Sequence, residues 1–410
     1  MTSLEWGVLG LRIEVSSDSG LGWNALAGLA VRRNPKRAHL IVSKVLGKHI
    51  PAYPADMRAR ARLLGSAVAR ETNGCGTLTI VGYAETATGL GHLLAAELPG
   101  SAYLHSTRDL RSGRRSILDF EEAHSHATAH HVLADEAFLS TTGPLVLVDD
   151  ELTTGNTAMA TIAAVHRVAP RELYVIATLL DMRSVGDQLA MARFADALGV
   201  QLEVISLLSA TLTTPHDVAA RAQAVLERST GPLIPPAPTG MWEPPTPVRL
   251  WPGTVRASGR HGWTCEDDAA AGISARYVAS ALECQLRGED VLVLGTEELM
   301  YAPMLIAEHL PGDVQFQSTT RSPVAVLDDD EYAIRSAVMF PAIDDAARPA
   351  YLYNANDKGR SDIVVVTSDP ARTGGASAML QALAYADPSA VIHHVELPYV
   401  MAAHRAAVRQ

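Results

Sequence analysis

Residues 144–157, the run Pro144-Leu-Val-Leu-Val-Asp-Asp-Glu-Leu-Thr-Thr-Gly-Asn-Thr157, constrain this chain more than any other stretch. Four consecutive apolar residues, Leu145 to Val148, leave neither face for water, so they predict a strand buried inside a parallel sheet. Asp149 and Asp150 then fall at the carboxyl edge of that strand, where open α/β sheets gather their ligands. A hydroxyl-rich loop follows, Glu151 to Gly155, and an apolar-periodic helix from about Asn156 to Val168. Free N–H groups and the positive dipole end at the start of that helix suit a phosphate monoester. Within the nine residues 149–157 the chain offers two acceptors for a vicinal diol and a donor-lined cradle for a phosphate. A ribose 5-phosphate carries both groups at that separation. The competing reading is a buried strand that ends in a solvated acidic turn.

The order of apolar strand, Asp149-Asp150, two variable residues and Thr153-Thr154-Gly155-Asn156-Thr157 resembles the 5-phosphoribosyl-1-diphosphate (PRPP) signature of the type I phosphoribosyltransferases. The resemblance implies an α/β fold, a parallel sheet with helices on both faces. It implies catalytic acids, Asp149 and Asp150, that hold the ribose hydroxyls, and a loop of Thr153, Thr154, Gly155, Asn156 and Thr157 that holds the 5-phosphate. It further implies Mg²⁺ carried on the substrate's oxygens and waters rather than in a metal site of the protein's own.

At 410 residues and 48% hydrophobic content the chain is long enough for two buried cores. A net charge of −11 argues against bulk nucleic-acid binding, which needs a surplus of Lys and Arg. Cys75, Cys265 and Cys284 show no CxxC spacing, which fits a reducing compartment better than a disulfide framework. No apolar run approaches the roughly 18 residues that span a bilayer, and the opening lacks a charged-then-apolar leader. The expectation is a soluble, cytoplasmic protein without a membrane partner.

Taken in order, Asn34 and Pro35 stand where a helix cap and first residue belong, and Leu40, Val42, Val45 and Leu46 supply an apolar stripe ending near Gly47. The cluster of Arg32, Arg33, Lys36, Arg37 and Lys48 is either a hood that grips a polyanion or an exposed basic helix face. Ala55 to Glu71 reads as a second helix, and Leu78 to Gly82 as the first strand of the sheet. A small-residue turn, Tyr83 to Gly91, then opens a helix from His92 to Leu98. In the resemblance that turn contacts the pyrophosphate, which selects Glu85, Thr86 and Ala87 as binding residues. Glu85 either accepts from a water on Mg²⁺ or caps the helix. Ser101 to His105 is a short strand, and Ser106 to Arg115 a loop bearing Arg108, Arg111, Arg114 and Arg115. The resemblance places a flexible catalytic loop here, so Arg108 is a diphosphate-binding candidate and Arg114 and Arg115 are catalytic lid candidates. Guanidinium forks stabilise the charge a diphosphate gains as it leaves. His126 and His130 are four apart, as zinc ligands on a helix would be, but a substrate-side or lid-docking role fits better because no cysteine lies nearby.

Beyond the signature, Leu173 to Leu180 is a strand, Val185 to Leu198 a helix, Leu202 to Leu207 a last strand and His216 to Arg228 a closing helix. Such βα alternation predicts a parallel sheet covered on both faces. Eight prolines between Pro232 and Pro252 predict an extended linker partly packed through Trp242 and Trp251. The division is residues 1–230 as a transferase domain with a hood, 231–253 as linker and 254–410 as a second α/β domain. Its outline repeats the first: Val291 to Glu298, a helix, Leu310-Pro311-Gly312 and Gln317 to Arg321 parallel Leu78 to Glu85, a helix, Leu98-Pro99-Gly100 and His105 to Arg108. Ile363 to Met379 echoes Val146 to Met159 but carries Thr367-Ser368 before a single Asp369. The second half is therefore read as a transferase-like or Rossmann-like unit without the ribose-gripping carboxylates.

With Thr320-Arg321-Ser322-Pro323 in that second half, and His39 to Pro51 in the first, nearly the whole chain resembles a two-domain family found with tellurium-resistance-type stress operons. The resemblance implies a PRPP-dependent phosphoribosyltransferase in nucleotide metabolism, with a nitrogenous, nucleobase-like acceptor, in a biosynthetic or stress-response pathway. Arg321, Ser322 and Arg260-His261-Gly262 are binding candidates there. PRPP and a small-molecule acceptor are the expected partners, and a homodimer is allowed. A non-catalytic PRPP or nucleotide sensor and the reverse, phosphorolytic reaction are the alternatives.

Overall fold

The computed structural model describes residues 2–33, 38–108, 116, 118–121, 129–133, 141–235, 242–355, 359–368 and 373–399. The chain opens with a hairpin, β1 (Thr2–Trp6) and β2 (Leu11–Asp18), in which Leu11, Ile13 and Val15 point inward and polar residues outward. That alternation is the period-2 pattern of a half-buried strand. After a short helix, α1 (Trp23–Leu26), come β3 (Ala27–Val31) and β4 (His39–Ser43), paired antiparallel with Gly28 opposite Val42 and Ala30 opposite Leu40. The helix expected after Asn34 is thus a strand. Leu40, Ile41 and Val42 are all buried, and a strand covered on both faces places apolar residues at the same spacings a helical stripe would.

Next, α2 (Pro54–Glu71) starts with its proline in the first turn, where a missing N–H costs nothing. The core then alternates as the sequence predicts, with one hairpin it did not foretell: β5 (Thr79–Gly82), α3 (Ala87–Ala96), β6 (Ala102–His105), that hairpin of β7 (Leu118–Glu121) and β8 (Ala129–Val132), β9 (Leu145–Leu152), α4 (Asn156–Val168), β10 (Leu173–Asp181), α5 (Val185–Leu198), β11 (Gln201–Thr213) and α6 (Val218–Arg228). The seven-stranded sheet runs β1-β2-β11-β10-β9-β5-β6, and its five strands from β11 to β6 are parallel. β10 sits at its centre with all nine residues buried, which explains why its sequence is an almost unbroken apolar run. The N-terminal hairpin extends this sheet at the β11 edge, a role its polar, glycine-broken sequence did not announce.

The second half contains α7 (Cys265–Glu283), capped by reciprocal bonds between Thr264 and Asp267. It continues through β12 (Asp290–Gly295), α8 (Tyr301–His309), β13 (Asp313–Ser318), a hairpin of β14 (Ala337–Pro341) and β15 (Pro349–Tyr353), β16 (Asp362–Ser368), α9 (Thr373–Ala386) and β17 (Val391–Leu397). Its parallel sheet, β13-β12-β16-β17, has the same order as β6-β5-β9-β10, and both halves insert a hairpin between their second and third strands. The repeat read in the sequence is a repeat of topology.

The halves share one hydrophobic core, which runs without a break from Leu9 and Val148 to Val293 and Val364. Equivalent helices meet across it. The His92 ring of α3 stacks on Tyr301 of α8 at 4.3 Å, nearly parallel. The proline-rich segment lies along the second half: the Leu233 N–H donates to Ala337, the Val248 N–H donates to His394, and Trp251 is buried. Among the described residues no helix is long and apolar enough to cross a membrane.

Candidate functional site

The carboxyl ends of β5, β6 and β9 open on a cleft of about 1390 Å³, its mouth included. One wall is the signature itself. Asp149, Asp150 and Glu151 leave the end of β9 half-buried, and the Asp150 N–H donates to Asp149 Oδ1 at 2.9 Å. Burial and then the charge of neighbouring Glu151 push the Asp150 carboxyl up to about 6. Thr153 to Thr157 complete that wall and lead into α4. Gly155 sits at φ +78°, and a Cβ there would meet Met191 Cε at 2.1 Å. Only glycine adopts that backbone so close to a neighbour without strain. The turn can therefore lay its amides against a ligand, with α4's N-terminus behind them.

The opposite wall comes from the turn after β5. The sequence reading begins the next helix at His92, but α3 begins at Ala87. The small residues of Ala87 to Gly91 let the helix pack closely: a Cβ on Gly91 would lie 2.5 Å from the Tyr103 ring. Glu85 and Thr86 line the cleft, whereas fully buried Ala87 does not, and its N–H is spent on Tyr83 O at 3.1 Å. The turn is braced from behind, because the Ala84 N–H donates to Ser106 Oγ at 3.0 Å and Ser106 Oγ bonds His130 Nδ1 at 2.9 Å. Arg108 and His130 border the same space, with Arg108 Nη2 3.4 Å from His130 Nε2. His130 lies on strand β8, not on a helix. Arg111, Arg114, Arg115 and His126 lie outside the described residues, as do Lys36 and Arg37.

Glu85 has a part that no local pattern foretold. It is buried, with Lys48 Nζ at 3.0 Å on one oxygen and Arg321 Nε at 3.0 Å on the other. Burial alone would raise its pKa, but Lys48, Arg108 and Arg321 outweigh that and hold it low. Lys48 also donates to Glu297 O at 2.8 Å and Thr319 O at 2.7 Å, so one ammonium ties the hood to both halves. Arg321 continues to Glu297. The exchange is reciprocal: Thr107 Oγ1 and the Arg108 N–H donate to Glu298 at 2.8 and 2.9 Å, and Arg260 pairs with it at 2.8 Å. Burial opposes ionisation of Glu298 as well, yet Arg260 and its other partners bring it down to about 2. Each half thus anchors the other's post-strand glutamate with its own Thr-Arg segment.

Consequently the second half reaches into the first half's cleft. Thr320, Arg321 and Ser322 line it opposite the signature, and Arg32, Leu40, Ile41 and His49 of the hood close its roof. His49 is buried, and burial followed by the Lys48 and Arg32 charges drives it down to about 3, so it is neutral at physiological pH. Of the other candidates, Arg33 bonds Ser229 Oγ at 3.2 Å on the surface, and Arg260 and His261 border a second cleft. Sequence reasoning singled out Arg321, Ser322 and Lys48 without seeing that they converge here. It missed His49, Thr320 and the bracing role of Ser106. The one signal for Ser106 and Thr320 was the matching Thr-Arg placement after β6 and β13.

A family model described as phosphoribosyl transferase matches residues 26–211, and one described as the TRSP domain C-terminal to that transferase matches residues 257–383. No curated protein matches the chain. Among solved structures, adenine phosphoribosyltransferase from Rhodothermus marinus is similar at 22% identity over 35% of this chain and 77% of its own, with a TM-score of 0.27. The Trypanosoma brucei adenine enzyme, in complex with AMP, pyrophosphate and ribose-5-phosphate, matches at 14% identity over 50% of this chain and 87% of its own, TM-score 0.33. A hypoxanthine phosphoribosyltransferase from Staphylococcus aureus matches at 15% identity over 33% and 68%, TM-score 0.23.

Proposed function

Because the chain belongs to the phosphoribosyl transferase family and carries the TRSP domain C-terminal to it, we propose that it transfers the 5-phosphoribosyl group of PRPP to a nitrogenous, nucleobase-like acceptor. The observation that carries this reading is the placement of the acid pair, the Thr153–Thr157 turn and the Tyr83–Thr86 turn around one cleft. Asp149 and Asp150 accept from the two ribose hydroxyls. Thr153, Thr154, Gly155, Asn156 and Thr157 seat the 5-phosphate at the positive end of α4. The diphosphate then lies toward Thr86 and Arg108, and Arg114 and Arg115 are assigned to close over it.

In the transfer, the C1–O bond breaks with its electron pair leaving on diphosphate, a C1–N bond forms to the acceptor, and the acceptor's N–H proton is released. Positive charge gathers on the ribose as the bond lengthens, and the carboxylates beside it favour that charge in a site shielded from water. The acceptor enters from the side of Leu40 and Ile41, whose apolar surfaces suit a ring, facing Ser322 of the second half. Such a pathway is biosynthetic or part of a stress response.

The donor set fits Mg²⁺. Asp149 and Asp150 are hard oxygen donors, and the burial, followed by the Glu151 charge, that raises Asp150 is offset by a nearby cation. Asp149 and Asp150 would face the ion through the substrate's hydroxyls, and the ion, when bound, offsets charge on the diphosphate. Incubation of the purified chain with PRPP, Mg²⁺ and a mixture of nucleobases tests the proposal. Acceptor-dependent release of diphosphate supports it. PRPP binding without release for any acceptor, or no PRPP binding, counts against transfer.

A further inference from the structure

In the first half β9 carries Asp149-Asp150 toward its carboxyl end, whereas in the second half the equivalent strand, β16, carries Thr367-Ser368 there. Loss of the diol-gripping acids removes the ribose site, yet the cleft at that position persists. It encloses about 980 Å³ with its mouth. Parts of its lining correspond to parts of the transferase cleft. Thr296 to Leu299 follow β12 as Tyr83 to Thr86 follow β5, Thr319 and Arg321 follow β13 as Arg108 follows β6, and the β14–β15 hairpin replaces the β7–β8 hairpin. The repeat has therefore kept a ligand-sized space at the edge where parallel sheets bind ligands.

The charges around this space decide what it accepts. Arg256 is held by Asp267 at 3.2 Å, Arg260 by Glu298 at 2.8 Å, Arg321 by Glu85 at 3.0 Å and by Glu297, and Arg348 by Glu297 and Asp344. Among the described residues, every arginine at this cleft is already matched by an acid, so a phosphate would have to compete with those carboxylates to bind. Leu299, Phe340, Ile343 and Met379 offer apolar surface, and Tyr399 an aromatic ring whose hydroxyl lies 3.3 Å from His261 Nε2. Apolar walls among charges that already offset one another suit an uncharged ring that bonds at its edges.

We propose that the second half binds an uncharged planar heterocycle of the nucleobase type in this cleft, separately from the transferase cleft. The two spaces share Arg321 as a wall, and the chain of pairs Glu85–Arg321–Glu297–Arg348 runs from one to the other. The inference rests on the topological repeat and on charge matching, not on the transfer reaction.

Calorimetric titration of the full chain with adenine, hypoxanthine, cytosine and uracil tests it. At least one base is expected to bind, with an affinity unchanged in the Asp149→Asn/Asp150→Asn variant. Ile343→Trp, which fills the cleft from a half-exposed position, should weaken that binding at least about tenfold, equivalent to ~1.4 kcal/mol. Tyr399→Ala, likewise half-exposed, gives the same readout should the first variant not fold, and an unchanged melting temperature shows that either one has folded. Neither residue borders the transferase cleft. The proposal is overturned if no base binds, if binding ignores both substitutions, or if ribose 5-phosphate displaces the base.

Discussion

Replacing Arg321 with methionine keeps most of the side chain's volume and removes the charge that joins the two halves. In the native chain its guanidinium lies 3.0 Å from Glu85 Oε1 and 2.9 Å from Glu297 Oε2, and those side chains are 6% and 15% exposed. Truncating one partner of a buried ion pair costs about 3–5 kcal/mol, because the other charge stays desolvated. Here Lys48 still faces Glu85 and Arg348 still faces Glu297, so the loss should fall at the low end, about 3 kcal/mol. Urea unfolding at pH 7 measures it. Adding Glu85→Gln restores the charge balance left uneven by the loss of Arg321, while Lys48 keeps its two carbonyl partners, and should return about 1–2 kcal/mol, a coupling typical of contacting residues. The sign of the pH dependence is fixed by Glu85, whose pKa in the folded chain lies below its ordinary 4.5. Its stabilising ionisation is complete above pH 4.5 and is lost as the pH falls below it, so the deficit of Arg321→Met should shrink in acid. Both halves should unfold in one transition, since they share a core. A loss under about 1 kcal/mol, or strict additivity of the two substitutions, would refute the idea that this network holds the halves together.

Two further outcomes follow from the transferase cleft. Gly155→Ala forces a side chain onto a backbone at φ +78° and against Met191, so stability should fall by about 1–2 kcal/mol and PRPP affinity by a larger factor, as thermal unfolding and calorimetry would show. The Asp150 carboxyl takes up a proton as the pH falls through about 6, which removes a charged acceptor from the ribose hydroxyls. PRPP affinity should therefore weaken between pH 7 and pH 5 more in the native chain than in Asp150→Asn, and equal pH profiles would exclude the role given to that residue.

What was legible in the sequence was local. The strand, acids, glycine turn and helix of residues 145–168 are each written in adjacent residues, so the site's first wall could be read directly. The repeat was legible for the same reason, because βα units carry their own punctuation. The hood was misread because Leu40 to Val42, buried on both faces, satisfy a helical stripe as readily as a strand. Lys48, Glu85, Glu298 and Arg321 were visible as charges, but their pairing spans separations such as 85 to 321, which no periodicity encodes. His49 gave no sign at all, since its neutrality comes from burial and from Lys48 and Arg32, contacts made only in the folded chain.

The most direct test is PRPP binding to Asp149→Asn/Asp150→Asn, measured by calorimetry with Mg²⁺ at pH 7.5. Each lost hydrogen bond to a charged acceptor is worth about 1.5–3 kcal/mol, so affinity should drop at least about a hundredfold while the melting temperature holds. Undiminished PRPP binding in that variant would contradict the account.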